Sequence, residues 1–268
     1  MTYDSDRVAA FFDEYGEREW TRFEDGRTPA TSLVTHTHYL EKFIRPGDRV
    51  LDVGAGPGRF TLELARLGAE IVVADVSAGQ LELNERRLLE AGLEERVHER
   101  VVADVTDLTD FADGRFDATV CYGGPVSYAV DRADRAVSEL VRVTRVQGHV
   151  LLSVMSLVGA LARYIELALD LVRRDGVGPM EGTVRTGVLP EGDGYGHLEM
   201  KLFRWSELER LLSGHGTIVA ASAAGLLAAH PDEPELRELL ARVELDVGAE
   251  PGAISCGEHI LAVVRRDA

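Results

Sequence analysis

The sequence predicts an α/β fold in which parallel β-strands alternate with helices that cover both faces of the sheet. Three observations carry that prediction. Residues 49–60, Arg-Val-Leu-Asp-Val-Gly-Ala-Gly-Pro-Gly-Arg-Phe, run an apolar strand into a glycine-rich turn and on into a helix. Two further apolar stretches, 70–75 and 97–103, finish at an acid, Asp75 and Asp104. Beyond them strand and helix patterns keep alternating, with strands at 116–121 and 148–155 and two last strands at 217–221 and 259–264.

In the first unit Val50, Leu51 and Val53 form a buried parallel strand. Gly54, Gly56 and Gly58 then remove every β-carbon from the turn, so backbone amides can approach a ligand closely. The following helix, 57–67, starts with its free N–H groups aimed at the same point. A dinucleotide fingerprint, G-x-G-x-x-G, would need its third glycine at 59, where the chain has Arg59, and this disfavours a nicotinamide-dependent oxidoreductase. The third glycine comes one residue early, and Asp52 sits two residues before the first. This D-x-G-x-G-x-G resembles motif I of the class I S-adenosylmethionine-dependent methyltransferases. An uncharged adenosine and a zwitterionic methionine tail suit such a turn, with no pyrophosphate to place on the helix end.

The second strand ends at Asp75, nineteen positions beyond Gly56. At a strand tip beside the turn an Asp can accept both hydroxyls of a ribose, while Val76 supplies an apolar wall for adenine. Ser77 caps a helix that runs to 91, where Gly92 stops it. The third strand leads into Asp104 and Val105; in the resembled family this acid receives the adenine exocyclic amine and the next amide meets the ring. After the fourth strand, Tyr122-Gly123-Gly124-Pro125-Val126-Ser127-Tyr128 forms the turn where the methyl group faces its acceptor, with Gly123 and Gly124 exposing carbonyls to the methionine ammonium. Many relatives read Gly-Pro-Leu-Tyr-His-Leu here, so Tyr128 stands where a His is frequent.

A helix over 131–143 and the turn 146–149 lead into the fifth strand, 148–155, without the Pro-Gly-Gly turn usual in relatives. Residues 157–172 read as one amphipathic helix, and 175–198 as a glycine-rich, poorly periodic insertion suited to cover a substrate. Ser206 is expected to cap the next helix, with Glu209 as its third residue, and a helix over 235–245 separates the last two strands. The resemblance spans residues 45–265 and implies a Rossmann-like seven-stranded methyltransferase sheet, mostly parallel with the last strand antiparallel. The tail at 250–263 resembles a broad bacterial branch of small-molecule methyltransferases.

The expected organisation is an N-terminal helical lid at 1–47 and a cofactor-binding domain at 48–268 with a cover insertion at about 156–204. Val8, Phe11, Phe12 and Tyr15 recur at helical spacing in the lid, which Gly26 and Pro29 break into two pieces, although Phe11, Phe12 and Trp20 would equally suit plain core packing. The resemblance implies S-adenosyl-L-methionine as cofactor, with S-adenosyl-L-homocysteine as product, contacted by Tyr15, Asp52, Gly54, Ala55, Gly56, Arg59, Asp75, Val76, Asp104, Val105, Cys121, Tyr122 and Gly123. A hydroxyl acceptor must lose a proton, and the candidates to take it are His36, His38, Tyr128 and His197. His36 and His38 lie about 200° apart around a helix, so only one can face a given cleft. No spacing matches a metal site.

Composition sets the frame. The 268 residues carry 46 acids against 29 bases, a net charge of -17 with no Lys/Arg block, which would repel a nucleic-acid backbone. The most apolar stretch, 150–161, is too short to span a bilayer, and the first residues lack the basic and apolar segments of a signal peptide. Cys121 and Cys256 form no disulfide framework, as suits a reducing cytoplasm. With these features, the resemblance implies a cytoplasmic enzyme, monomer or homodimer, that methylates an oxygen or nitrogen of a small molecule, natural-product and sugar-type acceptors included, with no nucleic-acid or membrane partner. The alternative is a protein of the same fold that binds the cofactor with a lost or different activity.

Overall fold

The computed structural model describes residues 2–24, 28–192 and 197–268. Gly26, expected to break the N-terminal helical segment, lies outside them. Five strands, β1 (Arg49–Val53), β2 (Glu70–Asp75), β3 (Val97–Val102), β4 (Phe116–Cys121) and β5 (Thr144–Met155), pair in parallel. A short antiparallel hairpin, β6 (Val188–Leu189) and β7 (Met200–Lys201), stands apart from them. The last two strands, β8 (Thr217–Ala224) and β9 (His259–Arg265), complete a seven-stranded sheet of order β3-β2-β1-β4-β5-β9-β8 among the described residues. Only β9 runs against its neighbours, antiparallel to both β5 and β8.

Strand alternation assigns residues to two apolar layers. Leu51 and Val53 of β1 join one buried cluster with Val137, Leu140, Leu208 and Leu212, on α7 (Ala133–Val143) and α11 (Trp205–Ser213). Val50 joins the opposite cluster with Leu40, Leu64, Leu81 and Leu88, on α3 (Ala30–Phe43), α4 (Arg59–Arg66) and α5 (Ala78–Glu90). α12 (Pro234–Gly248) packs beside α3 and β8, and two single-turn helices, α2 (Arg18–Thr21) and α6 (Pro125–Tyr128), precede α3 and α7 in the chain. The sheet is thus sealed on both faces, and its carboxyl ends remain as the place for a site.

Four local expectations are corrected. The strand expected at 148–155 begins at Thr144, and the expected turn 146–149 is an irregularity within it. There Gln147 takes φ 61°, while the Thr144 hydroxyl bonds Thr119 and Leu140 at 2.7 Å and keeps the strand paired. The single helix expected over 157–172 is two, α8 (Leu157–Arg163) and α9 (Ile165–Asp175), broken at Tyr164. The insertion read as poorly periodic contains α10 (Val177–Thr186), whose pattern is faint because Thr183 alone of its residues is buried. Helix α11 starts one residue before its expected cap, at Trp205. Backbone bonds from Phe203 to Met155 and from Leu157 to Phe203 fix the entry, and Glu207, not Glu209, accepts from the Arg204 N–H at 3.2 Å.

At the N-terminus, α1 (Ser5–Tyr15) lies across the start of α5: Asp13 Oδ1 accepts from the Ser77 hydroxyl at 2.6 Å and from the Gly79 N–H at 2.9 Å. α3, by contrast, packs as a core helix. Arg7 of α1 pairs with Glu191, beyond β6, so the first helix and the insertion meet above the carboxyl edge of the sheet.

Candidate functional site

The strand order reverses at β1, which has β2 on one side and β4 on the other, and the crevice at such a point is where α/β sheets hold ligands. A cavity of about 670 Å³ opens there. One end is walled by the turn after β1 (Gly54, Ala55, Gly56) and by Asp75, Val76 and Val105; the other by aliphatic and methionine side chains of the insertion, among them Leu161, Leu171, Met180 and Leu202. α1 contributes Val8, Phe11, Phe12 and Tyr15.

The glycine pattern has a packing cause. A β-carbon on Gly54, whose φ is 66°, would stand 2.2 Å from Cγ of Pro125, so the turns after β1 and β4 can close on each other only without a side chain there. The Gly54 N–H is tied to Ala74 at 2.7 Å, which locks this turn to the tip of β2.

Asp75, 6% exposed, accepts from the Gly56 N–H at 2.8 Å through Oδ2 and from the Ser77 N–H at 2.9 Å through Oδ1. Burial pushes its pKa up to about 6 against the pull of those two N–H groups. Each oxygen keeps a lone pair for a further donor. Asp104 Oδ1 accepts from the Tyr3 hydroxyl at 2.9 Å and from the Thr106 N–H at 2.7 Å, so Tyr3, and not Asp104, faces the cavity. Arg59 lies on the cavity wall, its guanidinium 3.6 Å from the Trp20 ring centre and bonded to the Trp20 carbonyl at 3.1 Å. Tyr15, Ala55, Val76, Val105, Tyr122 and Gly123 also line it.

Several candidates stand away from the wall. Asp52 is buried under the turn, where Oδ2 accepts from the Thr61 hydroxyl at 2.7 Å and burial pushes its pKa to about 7. Cys121 is buried in the sheet core with its thiol pushed up by burial. Among the four candidate bases, His36 and His38 do not reach the cavity. His36 is 1% exposed, and its Nδ1 lies 2.7 Å from the Ser32 carbonyl, which can only accept, so Nε2 accepts from the Ser153 hydroxyl at 2.9 Å. Ser153 Oγ in turn accepts from the Gly123 N–H at 2.9 Å. Burial lowers the His36 pKa to about 3, so the neutral ring supports the turn through Ser153. His38 points to the exposed side of α3 against Tyr39. Tyr128 and His197 do line the cavity; burial raises the Tyr128 phenol, which stays protonated, and Nδ1 of His197 lies 3.1 Å from the Leu198 carbonyl.

Sequence reasoning missed Tyr3, Glu19, Arg22, Tyr164 and Glu258. Arg22 pairs with Glu19 at 2.6 Å and donates to Thr28 at 3.2 Å, and a β-carbon on Gly123 would lie 3.4 Å from Arg22 Nη2. Arg22 and Glu258 come from opposite ends of the chain, and no local spacing signals them. In the sequence the tail around Glu258 carries a family resemblance but no sign of a site.

The residues at the β1–β2 end fit an adenosyl group: a carboxylate with free lone pairs, two valines, and a turn whose glycine admits no β-carbon. Residues 50–148 match a family model described as "Methyltransferase domain". A demethylmenaquinone methyltransferase from Clavibacter sepedonicus is 38% identical over 151 residues, 54% of this chain and 57% of that protein, so the chain spans little more than half the length of that relative. The fold also matches a chain from the complex between the Haloferax volcanii Trm112 methyltransferase activator and a methyltransferase (16% identity, 97% of this chain and 98% of that one, TM-score 0.63). It matches likewise the Burkholderia thailandensis 1,6-didemethyltoxoflavin-N1-methyltransferase solved with 1,6-didemethyltoxoflavin and S-adenosylhomocysteine (17% identity, 100% and 92%, TM-score 0.56).

Proposed function

We propose that this chain, whose residues 50–148 form a class I S-adenosylmethionine-dependent methyltransferase domain, moves a methyl group to an oxygen or nitrogen of a small, largely apolar molecule. The supporting observation is the continuity of one cavity from Asp75 and Val105 to Met180 and Leu202: a polar nucleoside end joined to an aliphatic end. Asp75 would take the ribose hydroxyls, Val76 and Val105 would flank the adenine, and Asp104 would meet its amine once Tyr3 withdraws. The backbone around Ala55 and Gly123 would receive the amino-acid end. When bound, S-adenosylmethionine supplies a methyl group on a positively charged sulfur.

What the chain itself adds is orientation and the exclusion of water. Within residues 1–47, α1 serves in this reading as the lid while α3 belongs to the core, and residues 156–204 serve as the cover, joined to α1 by the Arg7–Glu191 pair. The aliphatic wall favours an apolar acceptor over a sugar-type one, and the demethylmenaquinone in the name of the Clavibacter relative is of that apolar kind. A hydroxyl acceptor must shed its proton, and His197 is the histidine on the cavity wall available for it.

The test is calorimetry with S-adenosylhomocysteine and with NADH, followed by methyl release over a panel of phenols and amines. Binding of the first ligand alone with release to at least one acceptor is expected. NADH binding in its place would overturn the cofactor assignment. Binding of S-adenosylhomocysteine without release to any acceptor would favour a cofactor-binding protein of other activity.

A further inference from the structure

We propose that Glu258 is the polar anchor for the acceptor, taking a hydrogen bond from an O–H or N–H group on an otherwise apolar molecule; this rests on reading the cavity as a methyl-transfer site. Glu258 lines the cavity and is 5% exposed. Oε1 accepts from the Tyr164 hydroxyl at 2.8 Å, whereas Oε2, shut off from water, has no hydrogen-bond partner. The nearby cation, Arg22, is bonded to Glu19 and Thr28 and meets Glu258 through its charge alone, with no hydrogen bond to Oε2.

The backbone that carries this carboxylate is fixed, so only its side-chain torsions can turn Oε2 toward an occupant. The Glu258 N–H donates to the Gly225 carbonyl at 3.3 Å and the Glu258 carbonyl accepts from the Ser156 N–H at 3.0 Å. The chain just before it is pinned as tightly: a β-carbon on Gly159 would stand 1.7 Å from the Gly257 carbonyl oxygen, and one on Gly257 would stand 2.7 Å from the Ala224 nitrogen. Tyr164, which holds the other oxygen, sits at the break between α8 and α9, so the cover and the sheet edge converge on this side chain. The same cavity wall carries the apolar Met155, Leu161, Leu167 and Leu171 besides Arg22, Arg163 and Tyr164.

A buried carboxylate oxygen left without a donor is costly, and interiors leave few such atoms. An occupant that brings a donor to Oε2 removes that cost, whereas an isostere capped by a methyl leaves it in place. The acceptor class follows: a ring or chain compound that fills an aliphatic pocket and carries one hydroxyl or N–H toward Glu258. An ether or hydrocarbon of the same shape binds about ten-fold more weakly.

Two probes of matched shape, 2-naphthol and 2-methoxynaphthalene, test this by calorimetry on the full chain with and without S-adenosylhomocysteine. The wild type should bind the naphthol about ten-fold more tightly than its ether, the margin of a hydrogen bond to a charged acceptor. Glu258→Leu should bring the ratio to about one, and Glu258→Gln, whose carbonyl still accepts, should keep an intermediate preference. Equal affinities in the wild type, binding of neither probe, or an unchanged ratio in both variants would each overturn the anchor. Failure of S-adenosylhomocysteine to bind the wild type would overturn the cofactor reading, while the naphthol ratio in the cofactor-free protein would still decide on Glu258.

Discussion

Acidification should separate ligand affinity from fold stability, because both turn on the same carboxylate with opposite sign. Asp75 is buried, and its pKa stands at about 6. At pH 7.5 it is ionised and both oxygens can accept ribose hydroxyls; at pH 5 only about a tenth of the molecules keep that charge, which corresponds to about a ten-fold loss of affinity, or ~1.4 kcal/mol. Titration calorimetry with S-adenosylhomocysteine at the two pH values measures it. Asp75→Asn should bind more weakly at pH 7.5 and show a flat profile. For stability the sign reverses. The folded pKa lies above the ordinary carboxylate value of 3.8, so the folded state binds the proton more tightly, and stability falls as pH rises from about 4 through 6. Asp52, held at about 7, extends that fall to neutral pH. His36 and His259, both buried and lowered to about 3, act in the opposite sense over the same range, so the Asp75 contribution is read against Asp75→Asn: the melting temperature of the ligand-free wild type should rise relative to that variant between pH 7.5 and pH 5, while its ligand affinity falls. Unchanged affinity between the two values, or the same loss in Asp75→Asn, would refute the role given to Asp75.

Two further outcomes follow from the contacts around α1. Tyr3→Phe removes the hydroxyl that occupies Asp104 at 2.9 Å; if adenine must displace it, affinity for S-adenosylhomocysteine rises about 3- to 10-fold, and an equal or lower affinity by calorimetry would show that the two do not compete. Asp13→Ala removes the acceptor for the Ser77 hydroxyl and the Gly79 N–H, so residues 5–15 should lose about 1–3 kcal/mol of protection in amide hydrogen exchange. Unchanged protection there would mean that α1 is held by its aromatic contacts instead.

The legible part of this protein is local. The β2 limits, Glu70 to Asp75, and the Ser77 cap of α5 follow from runs of neighbouring residues, because strand period and capping chemistry operate over a few positions. The insertion was harder to read: α10 is exposed, so no apolar stripe marks it. At the split, the Tyr164 hydroxyl bonds Glu258, 94 positions away, a contact that no local pattern signals.

By itself, then, the sequence determined the alternation of the first five strands with helices, the glycine turn after β1 and the acids at Asp75 and Asp104, since each is written in adjacent residues. Only the tertiary structure decided which side chains share the cavity. It buried His36 behind Ser153, turned His38 outward, screened Asp104 with Tyr3, and brought Arg22 and Glu258 from the two ends of the chain to one wall. The physical reason is that periodicity sets which face of an element is apolar, whereas the partner of a buried polar group is chosen by packing between elements distant in sequence.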